Sequence, residues 1–123
     1  MNIIDAHPHI YADDRQKYPT IDDPWNPGEP ATAEDLKSKM NEAGVAKAVF
    51  IQTSTFYGHD NRYVMDSTRQ YSEWATGVVT LSPDDPQHLE VLEDAVQNYS
   101  VRGLRGTNDR NGKISSVNVK RLW

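Results

Sequence analysis

Three apolar blocks recur along the chain at a steady spacing, beginning near Val45, Ala75 and Val101. The stretches between them are polar, with apolar residues three or four positions apart, which is the repeat of an amphipathic helix. Strands that alternate with helices of this length predict βαβ units and a parallel sheet. Right-handed crossovers then place the helices together on one outer side of a continuously curled sheet.

The segment 2–10 predicts the first strand, with Pro8 near its carboxyl end, where a missing N–H is tolerated. No periodicity follows over 11–31, which holds four of the seven prolines. Because a long loop inside a compact domain is usually functional or disordered, two alternatives stand. We expect an ordered lid that buries Tyr18 and Trp25, and a frayed surface loop is the alternative.

Helix signals follow the loop. Thr32 predicts an N-cap and Gly44 a C-terminal stop, so the first helix spans Ala33–Ala43. A cap at Asp60 or Asn61 predicts a second helix that runs to about residue 73.

Asp85 followed by Pro86 predicts the start of a third helix, with an apolar stripe at Leu89, Leu92, Val96 and Tyr99. The predicted later strands are 46–52, 75–81 and 101–107, followed by a turn at Asn111 and Gly112 and a helix over 117–123. The run at 46–52 is nearly continuously apolar, which is typical of a parallel strand covered on both faces.

Four such units are half of an eight-stranded α/β barrel, whose full length is typically ~250 residues. The sequence has 123 residues and ends in the last predicted helix. We therefore expect residues 1–123 to be a single incomplete domain, the N-terminal half of a (β/α)8 TIM barrel.

Composition excludes several classes of protein. No apolar run approaches the ~20 residues of a membrane helix, and the start lacks the features of a signal peptide. There is no cysteine, the net charge is -5 and the pI is about 5.2. Nucleic acid and membrane are therefore poor partner predictions, and a cytoplasmic location fits.

Two histidines provide the leading candidate for chemistry. His7 and His9 lie two residues apart at the end of the first predicted strand, where both rings can point into one mouth. They could bind a divalent metal, with Asp5 as a supporting partner, or polarise a substrate carbonyl without metal. His59 lies in an active-face loop, where a solvated ring or a substrate contact is expected, and His88 is expected at the surface.

Polar side chains also end the second and fourth strands. Gln52 can donate to or accept from a substrate carbonyl or hydroxyl. The guanidinium of Arg105 can bind a substrate carboxylate through two hydrogen bonds, or it can pair with an acid such as Asp5. Phosphate-binding glycine loops and a Gly-x-Ser-x-Gly motif are missing from the sequence, which disfavours nucleotide-binding and serine-hydrolase functions.

The segments that carry these residues resemble a known family. The matching pieces are IIDAHPHI, DDRQKYP, AEDLKSKMNEAGVAKAVFIQTSTFYGHDN and VRGLRGTND. They are similar to the amidohydrolase 2 branch of the amidohydrolase-related TIM-barrel hydrolases. That branch includes 2-pyrone-4,6-dicarboxylate lactonase, sugar-acid lactonases and some decarboxylases.

The resemblance implies a (β/α)8 barrel with His7 and His9 at the catalytic centre. It implies a further histidine on strand five and a general-base aspartate on the last strand, both outside this sequence. The cofactor it implies is one divalent ion, with zinc as the first choice, or none. The residues that it places beside the substrate are Tyr57, Asp60, Asn61 and Arg105.

Three functions follow from these observations. The first is the N-terminal half of a hydrolase that opens a lactone or another cyclic ester or amide of a carboxylate-bearing small molecule, and we expect these 123 residues to be inactive alone because the general base lies outside them. The second is a decarboxylase of the same barrel type. The third is a non-catalytic half-barrel module that forms a homo-oligomer, because pairing two copies would cover the open sheet edges.

Overall fold

One parallel sheet organises the protein. The computed structural model describes residues 2–82 and 84–106, and its four strands follow the chain order β1-β2-β3-β4. All three neighbouring pairs of strands are parallel. The elements are β1 Ile3–Asp5, α1 Ala33–Ala43, β2 Val45–Ile51, α2 Ser54–Tyr57, α3 Arg62–Gln70, β3 Ala75–Thr80, α4 His88–Asn98 and β4 Val101–Arg105.

Helix α1 has the boundaries that its sequence predicts. The Thr32 hydroxyl accepts a hydrogen bond from the Asp35 N–H, and the Asp35 carboxylate accepts one from the Thr32 N–H. This reciprocal capping box satisfies two backbone donors that a helix leaves free at its start. Gly44 ends the helix in the left-handed conformation, with φ at 71°.

The helices pack against one face of the sheet. Phe50 is fully buried on that face, where it packs with Met40 of α1 and Val64 of α3. Val79 and Val101 continue the same apolar layer toward α4. Gly77 allows the close approach of α3 to β3, since a Cβ there would lie 3.0 Å from the Thr68 methyl group and 3.1 Å from Val64.

The other face of the sheet is more open. Lys47 is exposed and Val49 is half-buried on β2, and Ile4 on β1 is 55% exposed. The nearly continuous apolar run at 46–52 predicts a strand covered on both faces. In the part of the chain that the structure describes, one face of this strand is open, so the prediction is wrong there. The apolar side chains Val49 and Val78 line the uncovered face, which is why the sequence pattern cannot reveal which face is open.

The first strand is shorter than predicted. It ends at Asp5, and residues 6–10 leave the strand before Pro8. Pro8 cannot donate to a neighbouring strand, but its carbonyl oxygen still accepts from the Ile51 N–H at 3.0 Å. The segment therefore stays beside β2 without forming a regular ladder.

The later helices also differ from the prediction. A short helix α2 lies between the end of β2 and the predicted cap at Asp60 or Asn61, where the sequence predicts no helix, and α3 ends at Gln70 rather than near 73. Helix α4 begins at His88, because the Asp85 carboxylate accepts from the Gln87 N–H and forms a turn before the helix. Leu92 and Tyr99 of the predicted stripe pack against the core, whereas Leu89 and Val96 are exposed, contrary to the prediction, and Ala95 is buried.

The long loop after β1 is ordered. Tyr18 is 8% exposed, as predicted, and its hydroxyl donates to Asp66 of α3 at 2.8 Å. The Ile21 N–H donates to the Phe56 carbonyl of α2 at 3.0 Å. Trp25 is 56% exposed, so the prediction that it is buried is wrong; its ring rests against Tyr11.

The predicted turn at Asn111 and Gly112 and the predicted helix over 117–123 lie outside the described residues. Within the described residues, no helix has the length and apolar character needed to cross a membrane.

Candidate active site at the carboxyl ends of the strands

The two histidine rings of the first segment lie together. Their centroids are 5.2 Å apart, and the rings meet edge to face. His7 is exposed and His9 is half-buried, and neither lies on the strand itself. The Asp5 carboxylate accepts a hydrogen bond from the His7 backbone N–H at 3.2 Å, so its observed partner is backbone rather than an imidazole.

A hydrogen bond to a backbone carbonyl sets the tautomer of the His9 ring. Its Nδ1 lies 2.8 Å from the carbonyl oxygen of Ile51. Because a carbonyl oxygen only accepts, Nδ1 carries the proton, and Nε2 of the neutral ring keeps a lone pair. That nitrogen can bind a cation or accept a proton, and it can donate to a substrate only when the ring is protonated.

The next carbonyl along the chain binds a guanidinium group. Arg105 at the end of β4 donates from Nη1 to the Gln52 carbonyl oxygen at 3.4 Å. The Ile51 N–H bonds Pro8 and the Gln52 N–H bonds Val78, so the two residues direct their backbone groups to opposite sides. The end of β2 therefore stands between an imidazole and a guanidinium.

The guanidinium of Arg105 retains most of its donors. Its side chain forms no ion pair with any residue in 2–82 or 84–106, and the alternative pairing with Asp5 is not observed there. Among the described residues, the guanidinium uses one of its five N–H groups, in the long contact to Gln52. This arrangement can bind a carboxylate that approaches the open end of the sheet.

The fit of a divalent metal is partial. His7 and His9 offer two nitrogen ligands, and the Nδ1 contact of His9 is the kind of support that metal-binding histidines receive. A catalytic zinc site usually has three protein ligands. In the part of the chain that the structure describes, no group of three or more His, Cys, Asp or Glu residues could hold a metal. The described residues therefore do not form a complete metal centre.

Gln52 and Asn61 use their amides internally. Gln52 is fully buried, and its Nε2 donates to the carbonyls of Gly58 at 2.9 Å and Asp60 at 3.1 Å. Asn61 is 4% exposed, and its Nδ2 donates to His59 and Thr80 carbonyls while its Oδ1 accepts from the Thr80 N–H. Both hydrogens of each amide are occupied, so the predicted substrate contacts would need other atoms of these residues.

Three buried oxygens near the ends of β2 and β3 have no hydrogen-bond partner among the described residues. They are Oε1 of Gln52, Oγ1 of Thr53 and Oγ1 of Thr80, and none bonds a described residue. An unsatisfied buried polar group costs about 1–3 kcal/mol. The sequence does not indicate that these oxygens would be buried without a partner, because their burial depends on how the strand ends pack.

Tyr57 and Asp60 have defined partners in the same region. The Tyr57 hydroxyl accepts from the Ala12 N–H at 2.7 Å, and burial raises the pKa of Tyr57 to about 12. Asp60 accepts from Arg62 Nε and Nη2, the latter at 2.6 Å. Burial alone would raise the pKa of Asp60, but hydrogen bonds from the Arg62 side chain and N–H outweigh it and lower the pKa. Direct substrate contact by either residue stays a prediction.

The other two histidines differ from one another. His59 is exposed in the loop between α2 and α3. The prediction that His88 lies at the surface is wrong, since it is 7% exposed and begins α4, with Nδ1 beside the Asp85 carbonyl oxygen. The late start of α4 turns this residue inward.

Sequence reasoning missed the acceptors that organise the site. The carbonyl oxygens of Ile51 and Gln52 hold His9 and Arg105, yet a backbone group has no signature in a sequence. The only available signal is indirect: a strand followed by a polar residue directs free carbonyls toward the active face of a parallel sheet.

Comparison with known proteins identifies the family. Residues 4–116 match the amidohydrolase family, which is nearly the whole chain. The protein therefore belongs to the amidohydrolase family. A search of the curated proteins finds no match.

Solved structures share the fold over most of this chain. A protein from Acinetobacter baumannii, provisionally named a 2-pyrone-4,6-dicarboxylic acid hydrolase and solved with citric acid bound, gives a TM-score of 0.70 at 22% identity. The match covers 99% of this chain and 47% of that one. A Pseudomonas putida protein with the same provisional name gives 0.75 at 23% identity, covering 98% of this chain and 43% of that one.

A third structure, from Agrobacterium tumefaciens, gives a TM-score of 0.64 at 21% identity and covers 85% of this chain and 35% of that one. The chain thus spans less than half the length of these structures. The predicted fold class is confirmed: four parallel strands with helices on one face form part of a TIM barrel.

Proposed function

We propose that the protein, with its barrel complete, hydrolyses a lactone, or another cyclic ester or amide, of a small molecule that bears carboxylate groups. The observation that carries this proposal is the arrangement at the end of β2. His9 binds the Ile51 carbonyl and Arg105 binds the next carbonyl, that of Gln52. A substrate lying across this strand end meets an imidazole at one side and a guanidinium at the other.

Each group has a distinct part in the proposed reaction. Arg105 binds a carboxylate of the substrate and so orients the ring. The imidazoles of His7 and His9 flank the bond that is cleaved, where a cation held by them, or the rings once protonated, would stabilise the negative charge that develops on the carbonyl oxygen. Family membership and the provisional names of two neighbours, one of which binds citric acid, agree with a substrate that bears several carboxylates.

We also propose that His7 and His9 act together with one divalent cation, zinc being the first choice. The support is the lone pair on Nε2 of His9, which suits a cation better than a neutral carbonyl. A chelator titration of the protein tests this directly, with activity restored by added Zn²⁺ as the expected result. Activity that is unchanged at full chelation, with no metal detected by elemental analysis, would mean that protonated imidazoles polarise the carbonyl.

Two arginines on β4 provide a matched test of the carboxylate site. Arg105→Lys removes the two-pronged geometry, whereas Arg102→Lys changes an arginine that donates to the Val96 and Val101 carbonyls. With 2-pyrone-4,6-dicarboxylate and a panel of sugar-acid lactones, we expect Arg105→Lys to lower kcat/KM about tenfold or more. Arg102→Lys should stay near wild type.

The same assay separates the alternatives. Equal losses of kcat/KM in the two arginine variants would show that Arg105 does not bind the substrate. Release of CO2 without ring opening would identify a decarboxylase, and no turnover of any substrate by the complete barrel together with a stable homo-oligomer would support a non-catalytic module.

A further inference from the structure

Gln52 is an unusual residue for a fully buried position at the end of a strand. Its side chain has no exposed area, and both Nε2 hydrogens are used by the carbonyls of Gly58 and Asp60. Its Oε1 is buried without a partner among the described residues. An apolar side chain of similar size would avoid that unsatisfied acceptor, so simple core filling does not explain an amide at this position.

The amide holds the loop that borders the candidate site. Gln52 binds the carbonyls of Gly58 and Asp60, and Asn61 binds the carbonyl of His59 between them. Three consecutive carbonyls are thus tied to buried amides. Asn61 also pairs with both backbone groups of Thr80, which joins the loop to the end of β3.

The backbone of the same residue contacts the proposed carboxylate-binding group. The Gln52 carbonyl accepts from Arg105, and its N–H donates to Val78 of β3. One residue therefore bonds the 58–60 loop through its side chain and the guanidinium through its main chain. A shift of this residue would move both at once.

We propose that Gln52 is a positioning residue rather than a substrate contact: it fixes the 58–61 loop and Arg105 in one relative arrangement. The inference rests on the proposed function for the role of Arg105. Its structural part, the coupling of the loop to Gln52, stands independently of the substrate. Direct contact with substrate is the alternative, and it requires the buried side chain to become accessible.

The test compares Gln52→Met with Gln97→Met. Methionine matches the length of glutamine and removes both donors, and Gln97 is an exposed glutamine on α4 that bonds Glu93. In hydrogen–deuterium exchange without ligand, we expect amides of 53–61 to exchange about tenfold faster in Gln52→Met, with the sheet unchanged. The Gln97→Met variant should match wild type.

Kinetics with 2-pyrone-4,6-dicarboxylate provide the second measurement. Misplacing Arg105 weakens substrate binding, so KM should rise about tenfold, the equivalent of one charged hydrogen bond, with a smaller change in kcat. A KM increase with unchanged loop exchange would establish direct contact and overturn the proposal. Faster loop exchange with unchanged KM would also overturn it, because the loop would then be separate from the substrate site.

Asn61→Asp keeps the proposal testable if Gln52→Met does not fold. This variant retains an acceptor for the Thr80 N–H and loses the donors to His59 and Thr80. Faster exchange of 53–61 with raised KM is the supporting result, and unchanged values are the contrary one. If the protein does not hydrolyse the pyrone, the proposed function fails, and the exchange measurement still decides whether Gln52 holds the loop.

Discussion

Single residues at the end of β2 combine structural and chemical duties in different atoms. In His9, Nδ1 is committed to the Ile51 carbonyl and Nε2 remains for chemistry. Amide side chains can imitate the two nitrogens separately, because the asparagine amide nitrogen occupies the place of Nδ1 and the glutamine amide nitrogen that of Nε2. The two functions of the ring are therefore separable by substitution.

His9→Asn should retain the bond to Ile51 and lose the reactive nitrogen. We expect its melting temperature to stay within a few degrees of wild type while kcat falls about 100-fold or more, the usual share of a positioned acid, base or electrostatic group. His9→Gln should lose the Ile51 contact as well and melt earlier. Turnover by His9→Asn at the wild-type rate would show that His9 takes no part in catalysis.

The Asp60 carboxylate should make the stability of the protein depend on pH. The folded-state pKa of Asp60 lies below its ordinary value because Arg62 donates to it despite burial. A depressed pKa stabilises the folded state above the unfolded pKa, about 3.9, and this contribution is lost as the pH falls through the folded pKa. Asp60→Asn should thus lower the free energy of unfolding by up to about 1 kcal/mol at pH 7, and the difference should vanish in strong acid.

Urea titrations at several pH values measure this difference. Asp94→Asn supplies the control, since it makes the same change of charge on exposed α4, where the carboxylate accepts from Asn98. A gap between wild type and Asp60→Asn that stays constant down to pH 2 would contradict the assignment to the Arg62 pair.

At the scale of elements, helix boundaries set by local chemistry were predictable and those set by packing were not. Helix α1 begins after Thr32 and ends before Gly44, and both caps interact with residues only a few positions away. The sequence therefore identifies these boundaries directly. The start of α4 depends on a turn at Asp85, and the end of β1 depends on contacts with β2. Such contacts join residues distant in the chain, so local patterns do not contain them.

The candidate site shows the same division. The sequence identifies His7, His9 and Arg105 as chemical groups near strand ends, and the structure brings His9 and Arg105 to neighbouring carbonyls. The sequence could not indicate that the amides of Gln52 and Asn61 would donate their hydrogen bonds to backbone carbonyls. Whether a polar side chain faces a substrate or the loop beside it depends on the exact path of that loop.

One of the hydrogen bonds that hold the loop after β1 is accepted by a buried hydroxyl, that of Tyr57. Tyr57→Phe would leave the buried Ala12 N–H without its acceptor, at a cost of about 1–3 kcal/mol. We expect amides of 11–31 to exchange faster in this variant while β2 and β3 keep their protection. Tyr99→Phe is the control, because Tyr99 contributes its ring to a contact with Arg69. Uniform acceleration across the sheet would show that the hydroxyl supports the whole fold rather than the loop.

In the part of the protein that the structure describes, a layer of helices covers one side of the sheet and the other side is open. Ile4 is 55% exposed there, beside Lys47, Val49 and Thr76 around a hollow of about 320 Å³. In the described part of the chain, β1 and β4 each pair on one side only. An apolar face and unpaired strand edges together favour association with further strands.

We therefore propose that a chain of these 123 residues, 13.9 kDa in mass, self-associates. Light scattering coupled to size exclusion should give a mass above that of the monomer, rising with concentration, because burial of the open face stabilises the assembly. Ile4→Lys places a charge on that face and should shift the chain toward the monomer, whereas Leu89→Lys, at an exposed position of α4, should not. A folded monomer at all concentrations would show that the open face is tolerated in water, and a Leu89→Lys effect as large as that of Ile4→Lys would place the contact on the helices.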